Sequence, residues 1–324
     1  MAAPMELYCW KGDYGLPSVD VDCLTVLAYA KFAGAPLKVH KISNPWRSPT
    51  GSLPALKTRD EGSLSQPSKI IIQLRKQKYN ADYDLSAKEG ADTLAFVSLL
   101  EEKLLPALIY TQWVDSKNYV EVTRRWYAEH MPFPLNFLLP NRIHSRQMER
   151  LRLIRGDAVL ELEEQLEKEL YQDALECMTL LSQRLGSHKF FFGDSPSSLD
   201  AYVFAHLAPL LKIKLPNSKL QQHLNSLENL QLFCTNILLL YFPSENPEAQ
   251  SRKAPVRTDG GGDFDNEPHK RRNQILSVLF AVAAMLGYAV FSGIVTIQSS
   301  GGQLEPLHGN EDDDEEEEEE EEEE

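Results

Sequence analysis

Residues 275–297 read ILSVLFAVAAMLGYAVFSGIVTI, twenty-three consecutive positions without a charge. As a helix rising 1.5 Å per residue, such a run extends about 35 Å, against a hydrocarbon core of about 30 Å. A buried core helix of that length normally keeps a polar edge, so the run from Ile275 to Ile297 predicts a single membrane-spanning anchor. Lys270, Arg271 and Arg272 stand immediately before it, and no Lys or Arg follows. Basic residues favour the cytosolic side, so these three predict a cytosolic body and a translocated tail, residues 298–324. With so little chain after the span, insertion is expected once synthesis is complete, as for a tail-anchored protein. Ala283 with Gly287, and Ala289 with Gly293, are spaced for close helix packing in lipid.

The formal charge of −15 is concentrated at one end. Residues 311–324 are all Asp or Glu and hold 14 of the 48 acids, which leaves 34 against 33 Lys and Arg elsewhere. A nearly neutral body lacks the density of phosphate contacts that nucleic-acid binding needs, so that class is set aside. The acidic run repels itself and is expected to be disordered. Four cysteines, Cys9, Cys23, Cys177 and Cys234, form no C-x-x-C pair and are too sparse to staple the chain, which predicts a reducing compartment. The opening MAAPMELYCW has neither a secretory nor a matrix-targeting pattern. Residues 244–272 are rich in Pro, Gly and charge and predict a flexible linker.

The body divides by its pattern. Glu6–Trp10 and Leu37–Ile42 read as strands flanking a helix capped by Ser18, with Asp20 and Asp22 in its first turn and Leu24, Leu27, Ala28 and Phe32 along one apolar side. Gly34 and Pro36 stop it, so the unit is βαβ with a parallel pair. GSLPALKT and Ser63–Ser65 supply two further strands, and a helix from about Ser68 to Lys76 completes an α/β domain over 1–78. From Ala87 to 242 an all-helical domain is predicted. Its clearest helix covers 159–185, where Val159, Leu162, Leu166, Leu170, Ala174, Cys177, Met178, Leu181 and Leu185 recur at steps of three or four before Gly186. In FFFGDSPSSLD, Ser197 stands three before Asp200, a capping box opening the next helix.

An α/β layer, an L-P-A-L segment before its third strand, a helical second domain and a late S-x-x-D box resemble the glutathione transferase fold over residues 5–242. The expected class is therefore a thioredoxin-like N-terminal domain, an all-α transferase-like C-terminal domain and one C-terminal transmembrane helix. More specifically, MELYCWKGDYGLPSVD, KVHKISNPW, KYNADYDLSAKEGADTLAFVSLLEEKLLP and FFFGDSPSSLDAYVF are similar to the metaxins, and the C-terminal run matches their tail-anchored member. That resemblance implies the mitochondrial outer membrane, with the short acidic tail in the intermembrane space, and a non-enzymatic adaptor in protein import and β-barrel sorting and assembly. It also implies as partners a second metaxin paralogue, the outer-membrane β-barrel insertase complex and imported precursors. The transferase resemblance implies a cis bond at Pro54 beside a glutathione site.

The alternative is a membrane-bound glutathione-dependent transferase. Such an enzyme needs a hydroxyl or thiol after the first strand and a polar residue before a Ser opening the third helix. Tyr14 and Ser18 lie near the first position, but Pro67 precedes Ser68 where a Glu or Gln is expected. Tyr14, Ser18, Pro54 and Ser68 are therefore read as a vestigial pocket, with no catalytic residue and no cofactor. Cys9, within a strand, and Cys23, placed beyond the first helical turn, lack the setting of a reactive thiolate. Eight histidines show no ligand spacing, so no metal site is expected, and His206 reads as helix packing. Arg142, Arg146 and Arg150 recur every fourth residue, joined by Arg152 and Arg155, and read as a solvated face, with a stripe for an acidic partner as the other reading.

Overall fold

In the computed structural model, residues 5–58, 62–156, 163–243 and 285 are described. Two units divide the chain, Met1–Gly261 and Gly262–Glu324, and the architecture below belongs to the first. Among the described residues no helix is long and apolar enough to cross a membrane. Ile275–Ile297, Lys270, Arg271, Arg272 and the acidic tail lie outside the described residues, apart from Met285.

Strand β1 (Met5–Trp10) alternates its side chains so that Leu7 and Cys9 are wholly buried. It pairs in parallel with β2 (Leu37–Ile42), in register from Met5 with Leu37 to Trp10 with Ile42. On its other edge it runs antiparallel to β3 (Ala55–Lys57), which pairs with β4 (Ser63–Leu64), giving the order β2-β1-β3-β4. The Leu53–Pro54 bond that leads into β3 is cis.

Helix α1 (Val21–Phe32) corrects two expectations. Its cap is Asp20, whose carboxylate accepts from Cys23 N–H at 2.9 Å. Ser18 instead bends the preceding turn, its hydroxyl accepting from Asp20 N–H at 3.4 Å, so the helix starts two residues later than a Ser18 cap requires. Cys23 consequently lies in the first turn, not beyond it. Nor is α1 apolar on one side only, because Cys23 to Ala30 are buried without interruption. A helix enclosed on all sides has no polar face to keep. It sits against α2 (Pro67–Lys76) and α9 (Ser198–Lys212).

The helical layer begins with α3 (Ala87–Leu99) and continues through α4 (Leu105–Ile109), α5 (Ser116–Asn118) and α6 (Arg125–His130), with wider π turns between them. A cis Phe133–Pro134 bond precedes α7 (Leu135–Arg155). In α8 (Glu163–Leu185), Leu170, Ala174, Cys177, Met178, Leu181 and Leu185 form the buried stripe, and Gly186 takes φ +55° just beyond. Val159 and Leu162 lie outside the described residues. Helix α9 is the central post, with twelve buried residues and α10 (Lys219–Ser226) and α11 (Glu228–Tyr241) against it.

Three polar ties join the layers. Asp82 accepts from Ser198 N–H at 2.7 Å and from its hydroxyl at 2.8 Å, and is ion-paired with Arg75 of α2. The Trp126 indole donates to Asp13 at 2.6 Å, and Arg150 pairs with Asp22 at 3.3 Å. All three reach from the α/β layer and its trailing loop to helices more than 100 residues onward.

Candidate functional site: the cleft between the two layers

The floor of a cleft between the layers is set by α1 and the loop before Pro54, and one wall by α7. Its main cavity, of about 390 Å³, is lined by Asp20 and Asp22, by Trp10, Trp46 and Leu53, and by Arg142, Arg146, Gln147 and Arg150. A second hollow of about 210 Å³ is lined by Ser65, Gln66, Pro67, Ser68, Glu101 and His206. Asp22 and Arg150 line both. The arginine stripe is thus not simply a solvated face. Four-residue spacing on α7 turns Arg142, Arg146 and Arg150 toward the same side, and that side is the cleft. Arg155, further along, is paired with Asp173 of α8.

The electrostatics of the floor are acidic. Burial, reinforced by the charge of Asp22, lifts the Asp20 carboxyl above its usual range despite the hydrogen bond from Cys23. Burial also lifts Glu101, with Arg150 opposing. His206 is held below its usual value by burial, and its Nδ1 lies 2.7 Å from the Tyr202 carbonyl, the contact of a packed helix residue. Arg142 and Arg146 have no ion pair among the described residues, which leaves uncommitted positive charge at the mouth above a carboxylate floor. Such an arrangement can hold anionic groups at the rim. It offers no thiolate stabilisation at the head of α1, where two carboxylates already stand.

The four vestigial-pocket residues do not converge. Ser18 is wholly buried and lines neither cavity. Tyr14, at φ +55°, lies in a separate small hollow with Trp113, Trp126 and Leu215, and burial raises its hydroxyl further above the usual value. The chain reaches that left-handed turn through Gly12, where a Cβ would come within 2.2 Å of the Leu16 carbonyl oxygen. Pro54 is represented in the cleft by its neighbour Leu53, and Ser68 lies in the second hollow. Ser197 and Asp200 stand apart from the cleft and form a reciprocal capping box, Ser197 N–H donating to Asp200 at 2.8 Å.

Sequence reasoning passed over Gln66. It occupies the N-cap position of α2 without capping it, and lines the second hollow beside Pro67. The amide sought directly before Ser68 is therefore present one residue earlier, and Pro67 is the first helical residue, where a missing N–H costs nothing. Asp22 and Arg150, the pair at the centre of the cleft, were legible only as a first-turn acid and a stripe member. All four cysteines are buried. Burial holds the Cys23 thiol well above its ordinary value and lifts Cys177 to about 12. Among the described residues no cluster of His, Cys, Asp and Glu is arranged for a metal.

Comparison with known proteins follows the same division. Residues 23–144 match a family model described as an outer mitochondrial membrane transport complex protein, and residues 174–237 match the C-terminal domain of glutathione S-transferases. A solved glutathione S-transferase of Ceriporiopsis subvermispora, in complex with glutathione, is 14% identical and covers 78% of this chain and all of its own, at a TM-score of 0.49, too distant to carry anything about chemistry. Metaxin-1 of Macaca fascicularis is 65% identical over 298 residues, 92% of this chain and 93% of that protein. Metaxin-1 of Mus musculus is 64% identical over the same shares, and Metaxin-3 of Xenopus laevis 54% over 242 residues, 75% of this chain and 78% of its own. On that identity, over nearly its whole length, the chain belongs to the metaxin family.

Proposed function

We propose that this chain is a non-enzymatic, tail-anchored adaptor of the mitochondrial outer membrane that acts in protein import and in the sorting and assembly of β-barrel proteins. Its folded domains face the cytosol and its short acidic tail lies in the intermembrane space. Its partners are a second metaxin paralogue, the β-barrel insertase complex and incoming precursors. Family membership and the matched transport-complex model support the setting. The adaptor reading is carried by one observation in the cleft: neither of the two hydroxyls that follow β1 lines it, Ser18 being wholly buried and Tyr14 lying in a different hollow. Asp20, which caps α1, adds negative charge where a thiolate would form.

The test is the double variant Tyr14→Phe, Ser18→Ala in the full chain. Barrel assembly in isolated mitochondria and recovery of the paralogue in mild detergent are expected to match the parent. Both are expected to be lost when residues 1–242 are removed and the anchor is kept. If the double variant stays folded and partner-bound yet fails in barrel assembly, or if the parent is retained on immobilised glutathione and eluted by it, the adaptor gives way to a glutathione-dependent transferase.

A further inference from the structure

The segment joining α6 to α7, together with the first turn of α7, presents apolar side chains to solvent. Phe137 and Leu138 are 63% and 65% exposed, and the Phe133 ring packs edge-on against Phe137 at 6.0 Å between centroids. Pro132 and Pro134 are also exposed. From His130 to Met148 the chain contains no acid, in a protein with 48. One and two turns beyond Leu138 on the same helix come Arg142 and Arg146, exposed and without an ion pair among the described residues. A protruding Phe/Leu tip followed by uncommitted arginines is the chemistry of an interfacial membrane contact, with rings and leucine among acyl chains and guanidinium groups at anionic headgroups.

We propose that this tip is a second membrane contact, through which the body lies against an anionic bilayer. The proposal rests on the tail-anchor reading. The last body residue, Pro243, and the first residue of the apolar run, Ile275, are separated by residues 244–274, a Pro-, Gly- and charge-rich stretch. Whatever its conformation, a stretch of 31 residues reaches no more than about 110 Å, so an anchor at its far end raises the body's effective concentration at the bilayer and lets a weak contact be populated. A protein partner on the same tip is the competing occupant. Continuous freedom from acids between His130 and Met148, together with two exposed arginines that make no ion pair among the described residues, favours a surface of diffuse negative charge.

The full chain, reconstituted in phosphatidylcholine vesicles with or without phosphatidylinositol, carries a benzophenone side chain at Leu138. A parallel sample carries it at Tyr83, which is 83% exposed. Irradiation is expected to give a lipid adduct at 138 well above that at 83. Arg142→Gln and Arg146→Gln are each expected to lower the adduct about fivefold in the anionic vesicles. The same 138 probe in mitochondria separates the occupants, since a protein adduct without a lipid adduct overturns the proposal. So does a lipid adduct no greater than at 83 in protein that still pellets with carbonate-washed vesicles, and that result leaves the anchor standing. Failure to pellet at all overturns the anchor and this contact together.

Discussion

Asp200 has no exposed surface and accepts from the Phe191 and Ser197 N–H groups and the Ser197 hydroxyl. Burial outweighs those donors and pushes its carboxyl up to about 6, from an ordinary 3.8. A carboxyl raised in the fold takes up its proton there before the unfolded chain does. Its contribution therefore strengthens the fold as pH falls from 6 toward 3.8 and weakens it as pH rises through the same window. At about 1.4 kcal/mol per unit, the shift from 3.8 to about 6 amounts to as much as about 3 kcal/mol. Denaturant titrations of the full chain in detergent, between pH 4 and 6.5, should show a gain on acidification that Asp200→Asn largely loses. Equal slopes in parent and variant would show that Asp200 titrates normally. The capping pair was legible from the S-x-x-D spacing. The raised carboxyl was not, because its cause is the packing of α9 amid the core.

At the scale of elements, α8 illustrates what periodicity can and cannot report. The stripe from Leu170 to Leu185 is buried as its spacing requires, while Leu180, one residue off the stripe, is 39% exposed. Leu181→Ala is expected to cost about 2 to 5 kcal/mol, through lost transfer energy and a cavity, whereas Leu180→Ala should stay within about 1 kcal/mol. Thermal melts of the two variants, side by side, measure the contrast, and similar losses would mean that α8 is turned differently against its neighbours. Helix α1 was harder to read. Ser18 and Asp20 are both good capping types, and local sequence does not choose between them. The choice follows from the turn around Gly12 and Tyr14, which carries Ser18 inward and leaves Asp20 to meet the Cys23 N–H. The unbroken burial of α1 likewise depends on α9, which arrives some 170 residues later.

For the whole molecule, the joint between layers rests on groups that carry no local signature. Asp82 lies between the two predicted domains, in a stretch that belongs to neither, yet it receives the first backbone N–H of α9 and the Ser198 hydroxyl while pairing with Arg75. Asp82→Asn keeps the size and removes the charge. It is expected to destabilise the full chain by about 1.5 to 3 kcal/mol, the range for hydrogen bonds to charged groups, and to speed protease cleavage between residues 78 and 87. Unchanged cleavage and stability would assign the joint to the α1–α9 packing alone.

Periodicity, turn residues and composition were enough to establish a four-stranded α/β layer followed by helices, because those features follow from neighbours a few residues apart. The L-P-A-L segment, the S-x-x-D box and the metaxin-like stretches were enough to point to the family. The position of each side chain in the cleft was not legible, because it depends on two layers meeting. Tyr14 and Ser18 are near one another in sequence yet line no common hollow, while Asp22 and Arg150, 128 residues apart, stand 3.3 Å from one another. A turn that inverts the chain, and a helix that docks on another, move a functional group farther than any local propensity can register.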